Sequence, residues 1–176
     1  PVDEAVIRAF VDRPYGQSWP TDEEVTEEFL TRTFYGRMRQ DSIRMILGPI
    51  DDHLQKEAFK SETPTFDYDS LTIEHIMPRE WKDHWPLPDM PADQIAEAQN
   101  RRDRNVHRIG NLTLITGSLN SSVSNGPWDK KRPALAEHSN LALNAEFKKD
   151  IPWDEAAIED RGRRLAALAC KVWWRT

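Results

Sequence analysis

Apolar positions along the chain fall into two periods. Val2, Val6, Ile7, Phe10 and Val11 recur at helical spacing, so residues 2–12 read as the tail of a helix. Pro14, Gly16 and Pro20 mark a loop. Thr21 then has the character of an N-cap, and Glu24 completes a capping box. Asp22, Glu23 and Glu24 suit the positive end of that helix. Val25, Phe29 and Leu30 form its stripe, and its end is expected near Gly36. A second helix is predicted from about Asp41 through Phe59. Ile43, Ile46, Leu47, Ile50 and Leu54 face inward, and Gly48-Pro49 marks a bend.

After a polar turn segment at 61–70 the period changes. Leu71 to Pro78 carries Leu71, Ile73 and Ile76 with β-branched neighbours, and Pro78 stops the run, which is the pattern of a short strand. Residues 79–100 form an excursion rich in Trp and Pro, with Trp81 and Trp85 as lids over a small sheet or as part of a functional loop. Asp93 to about Arg104 reads as helix. Ile109 to Thr116 gives a second strand, entered through the turn signal Gly110-Asn111. Residues 117–122 look like a turn entering a short helix with Asn120 in its first turn. A final helix is predicted over Asp154 to Trp173, carrying Ile158, Arg161, Leu165 and Leu168. The pattern is that of an α+β chain, mostly helical. Residues 1–60 read as a helical connector or packing subdomain, and 61–176 as the core with its C-terminal helix.

Composition narrows the classes. With 38% apolar residues and seven Trp, the chain can bury a core. No apolar run approaches the roughly 18 residues of a membrane span, and no signal-peptide pattern is present. The one cysteine, Cys170, excludes an internal disulfide and a Cys-rich zinc site, which fits a cytoplasmic protein. Net charge is −6, yet it is unevenly spread. Residues 1–70 hold 8 basic and 15 acidic side chains, whereas residues 100–132 hold 7 and 2. The basic stretch lies beside the second strand, where a phosphate backbone would need it, although a solvated charged face has the same composition.

Chemistry concentrates at the end of the first strand. Glu74 can hold a hard cation through oxygen, and His75 can move a proton near neutral pH. Neighbours in a strand point to opposite faces, but a twisted strand end can turn both toward one ion. A Glu-His pair merely closing a strand would look the same in this stretch. His53, His84 and His107 read as surface residues, with phosphate contact an alternative for His107, and His138 falls in a polar turn. Arg161, Arg163 and Arg164 sit together on the last helix, either as an extension of a basic surface or as solvated charges.

Three stretches, in order, carry a resemblance: Thr72-Ile73-Glu74-His75-Ile76-Met77-Pro78; then Gly110-Asn111-Leu112-Thr113-Leu114; then Leu119-Asn120-Ser121 followed by Asn125 and Lys131. Together they resemble the HNH, or His-Me finger, endonucleases. The fuller likeness, over roughly residues 20–175, is to the C-terminal nuclease domain of GmrSD-type modification-dependent restriction enzymes and to Ssp-type phage-defence nickases. The resemblance implies a ββα-metal core with flanking N- and C-terminal helices, and a metal-dependent DNA endonuclease or nickase activity in restriction or anti-phage defence. It implies His75 as general base, Glu74 and Asn120 as metal ligands, and Asn111 as the middle Asn of the catalytic set, bracing the loop that orients His75. One Mg²⁺ or Mn²⁺ per site is implied and no structural zinc. Glu74 stands where many relatives have Asp. Arg108, Lys130, Lys131 and Arg132 are expected on DNA phosphates. The implied partners are DNA and an N-terminal nucleotide-hydrolysing sensor domain. The alternatives are a non-catalytic DNA-binding or protein-docking module on the same scaffold, or a nuclease acting on RNA.

Overall fold

A computed structural model describes residues 20–58, 65–123 and 125–173. The helix predicted over 2–12 and the predicted helix end at Phe59 lie outside them. Helix α1, Asp22–Thr31, starts as its sequence dictates. The Glu24 N–H donates to Thr21 Oγ1, and the Thr21 N–H donates to Glu24 Oε2. It ends short of Gly36, because the backbone N–H groups of Phe34 and Tyr35 donate to the His107 carbonyl and draw the chain out straight. Gly36 instead makes the following turn, at φ 81°, a conformation that costs glycine little. Helix α2, Gln40–Ala58, runs through Pro49 as one element and buries Ile43, Ile46, Leu47 and Ile50.

Strands β1, Thr72–His75, and β2, Leu112–Ile115, form a two-stranded antiparallel sheet. Thr72 pairs with Ile115, Ile73 with Leu114, Glu74 with Thr113 and His75 with Leu112. Both strands are shorter than their sequence patterns. Ile109–Asn111 is a 3₁₀ turn, and the Ile76 N–H donates to the Asn111 carbonyl as the chain leaves the sheet. A two-stranded sheet is marginal alone, so helices cover both faces. Ile73, Leu112 and Leu114 pack with Phe29, Phe34, Ile43, Leu47, Ile50 and Leu165 in one apolar cluster. Ile115, Ile76 and Met77 belong to a second, with Leu119, Leu135, Phe147, Trp153 and the two lids Trp81 and Trp85.

The remaining helices are α3, Ala92–Asn105; α4, Gly117–Val123; α5, Trp128–His138; and α6, Glu155–Val172, capped by Asp154. Helix α5 and a 3₁₀ stretch at Ala142–Lys148 have no counterpart in the sequence reading. Pro133 lies within α5, and its inward positions Trp128, Lys131 and Leu135 include a lysine, which hides the helical stripe. The fold is α+β and mostly helical. Among the described residues no helix is long and apolar enough to cross a membrane.

Two arginines placed in basic patches by sequence are internal. Arg161 is 1% exposed; its guanidinium donates to the Gly110 and Leu112 carbonyls and pairs with Glu146. It ties α6 to the start of β2. Arg102 pairs with Glu155 and donates to the Trp85 carbonyl, fastening the Trp-rich excursion. A buried guanidinium needs such partners, because stripping it of water is costly.

Candidate active site at the end of the first strand

Sheet geometry sends alternate side chains of β1 to opposite sides. Thr72 and Glu74 share one face with Thr113; Ile73 and His75 share the other with Leu112 and Leu114. On the Glu74 face lie α4 and α5. Asn120, the fourth residue of α4, points its Nδ2 at Thr72 Oγ1, 3.4 Å away. Glu74 is two residues along the same face, about 6.6 Å farther by the rise of a strand. The chain thus brings Asn120 and Glu74 to one side of the sheet, although they are 46 positions apart in sequence.

Lys131 corrects its sequence assignment. Its side chain is fully buried, its Nζ lies 2.5 Å from Glu74 Oε1, and it donates to the His75 carbonyl at 2.6 Å. It cannot face a DNA backbone from there; it is an internal cation locking the strand end. Burial raises the Glu74 carboxyl above its ordinary range and lowers the Lys131 ammonium. The attraction of each for the other opposes that cost of burial. Of the other expected phosphate contacts, Lys130 is exposed on α5, and Arg132 pairs with Asp150. Arg108 is half-buried beyond the end of α3. The structure does not gather these three around Glu74.

His75 is 7% exposed and packs against two rings. The Tyr35 ring meets it edge-on at 4.4 Å between centroids, and the His107 ring at 5.5 Å. Its Nε2 is buried without a hydrogen-bond partner. Desolvation, then the charges of His107, Arg79 and Lys131, push its pKa down to about 3, so the imidazole is neutral near pH 7. His107 moves the same way, chiefly through its own burial. It is half-buried against Tyr35, not a free surface residue.

Asn111 is fully buried and every atom of its amide is engaged. Oδ1 accepts from the Met77 N–H at 2.8 Å and from Trp153 Nε1 at 3.1 Å. Nδ2 donates to the Met77 carbonyl at 2.8 Å and the Val106 carbonyl at 2.9 Å. It clamps the segment just past His75 and has no donor or acceptor left for a substrate.

Sequence reading missed Tyr35 and Arg79. Nothing in the Tyr35 stretch signals a contact with a residue 40 positions later. Arg79 directly follows the strand motif, and that adjacency was the available clue. Among the described residues no cluster of three or more His, Cys, Asp or Glu could hold a metal; an amide such as Asn120 is outside that set.

The family model for the C-terminal domain of GmrSD restriction endonucleases matches residues 19–168. No curated protein matches the chain. The matched span runs from the cap of α1 into α6 and takes in both strands, Glu74, His75, Asn111 and Asn120. The chain belongs to the family of C-terminal domains of GmrSD restriction endonucleases, a restriction-nuclease domain.

Proposed function

We propose that this domain is a metal-dependent DNA endonuclease or nickase of the HNH, ββα-metal kind, acting in restriction or anti-phage defence. One observation supports the reading: β1 carries Glu74 and His75, Asn111 clamps the Met77 segment just past the strand, and Asn120 lies against Thr72 on the Glu74 face of the sheet. The donor chemistry fits a small hard cation, since Glu74 and Asn120 offer a carboxylate and an amide oxygen on one side of the sheet. Those two residues would hold Mg²⁺ or Mn²⁺, which when bound would supply positive charge to the phosphate and the departing oxygen.

The protein groups do the rest. His75 takes the proton of the attacking water, which requires the neutral imidazole that its burial favours. An approaching phosphodiester brings negative charge and lifts the imidazole's proton affinity toward the working range. Asn111 fixes the Met77 segment, and so the backbone direction at His75. Lys131 holds the Glu74 carboxylate and the His75 carbonyl in one frame. Lys130 and Arg108 draw in the DNA backbone by charge, so binding falls with salt. Sensing of DNA modification would belong to a nucleotide-hydrolysing N-terminal portion of the enzyme.

The test is nicking of supercoiled plasmid with Mg²⁺ or Mn²⁺. His75→Ala is expected to lower the rate about 10²- to 10⁴-fold. A variant cutting at the wild-type rate would overturn the mechanism. The Lys131 ammonium already seated on Glu74 favours a second reading, a non-catalytic DNA-binding or docking module. That reading predicts retarded DNA and no product in the same reactions.

A further inference from the structure

We propose that Arg79, propped on the Tyr35 ring just past the end of β1, grips the non-bridging oxygens of the scissile phosphate. The inference rests on the nuclease reading and adds to it a residue outside the motif set.

Glu74 and His75 leave the strand on opposite sides, so any group serving both must sit beyond the strand end, where the two faces meet. Arg79 is there. Its Cζ lies 5.8 Å from the centroid of the Tyr35 ring, which itself packs on His75. Its positive charge is felt at Glu74, His75 and His107 alike. The side chain is exposed. Other arginines spend their charge on the protein's own carboxylates: Arg44 on Asp41, Arg102 on Glu155, Arg161 and Arg164 on Glu146. Arg79 has no carboxylate within ion-pair distance among the described residues.

Its mounting is stiff. Met77 is held through both its N–H and its carbonyl by Asn111, and Pro78 fixes the next backbone angle. The Tyr35 platform is pinned in turn, because the Tyr35 and Phe34 N–H groups donate to the His107 carbonyl. A planar guanidinium on a fixed base offers paired donors to two phosphate oxygens. As charge builds on those oxygens during attack, the grip tightens, so the effect belongs in turnover more than in affinity.

Single-turnover nicking of supercoiled plasmid by the whole domain tests this, with wild type, Arg79→Ala, Arg79→Lys and Arg37→Ala compared. Arg37 is a matched exposed arginine just past Gly36. Arg79→Ala is expected to lose about 10²- to 10³-fold in cleavage rate, with plasmid affinity changed less than about threefold because one phosphate contact among many is lost. Millimolar guanidinium ion should restore part of that rate, and Arg79→Lys should fall between. The proposal is overturned if Arg79→Ala cuts within about threefold of wild type, if its loss lies wholly in affinity, if guanidinium gives no rescue, or if Arg37→Ala loses as much. A wild-type domain that does not cut with either metal overturns the nuclease reading itself, and that failure shows in the wild-type reaction rather than in the variant.

Discussion

Replacing Asn111 by Ala removes one side chain and strands four buried groups. The Met77 N–H, the Met77 and Val106 carbonyls and Trp153 Nε1 all lose their partner at a position with no solvent exposure. A hydrogen bond lost with its partner left buried costs about 1 kcal/mol or more, so the four together come to about 4 kcal/mol. A domain has roughly 5–15 kcal/mol in all, so the variant should be close to unfolding. Asn111→Asp sharpens the test. Its oxygens still accept from Met77 and Trp153, but one oxygen now faces two carbonyls where an N–H₂ stood. We expect it to be no more stable than the alanine variant. Urea titration followed by circular dichroism gives both values, with the m-value checking that the transition stays two-state. A loss under about 1 kcal/mol for Asn111→Ala, or wild-type stability for Asn111→Asp, would refute the clamp.

Gly110 and His75 give two further outcomes. A Cβ on Gly110 would lie 2.0 Å from the Ile158 carbonyl oxygen and 2.9 Å from the Gly162 nitrogen, both backbone, so no side-chain rotation relieves it. Gly110→Ala should cost about 3 kcal/mol in thermal unfolding, and a cost below about 1 kcal/mol would mean that α6 does not approach β2 so closely. His75 predicts a pH dependence. Its folded pKa lies below the ordinary value of 6.5, so the unfolded chain takes the proton first; its stability contribution is full above about pH 6.5 and falls away toward pH 3. Between about pH 6 and 4 the wild type should lose about 1.4 kcal/mol per pH unit relative to His75→Gln, measured as the difference in unfolding free energy so that the opposite trend from Glu74 cancels. Parallel curves for the two proteins would show that His75 is not held neutral by burial.

Local signals were legible wherever a residue's neighbours in sequence are also its neighbours in space. Thr21 and Glu24 set the start of α1, and the inward positions of α2 follow from 3.6-residue spacing alone. The β-branched run at 72–73 and the stop at Pro78 give a strand, and the order of the Glu74-His75, Asn111 and Asn120 stretches gives the family. What sequence could not supply depends on burial, which pairs distant residues. Lys131, Arg102 and Arg161 read as surface cations because nothing local tells a lysine or arginine that a carboxylate or a carbonyl waits across the core. Helix α5 was hidden for the same reason, since its inward stripe contains the charge that Glu74 neutralises. The ring packing of Tyr35 on His75, and the neutral imidazole it helps to bury, exist only after α1, β1 and the Val106–Arg108 turn have closed on one another. Periodicity and caps fix which segments form; desolvation decides which charges must find one another, and only the folded chain performs that sorting.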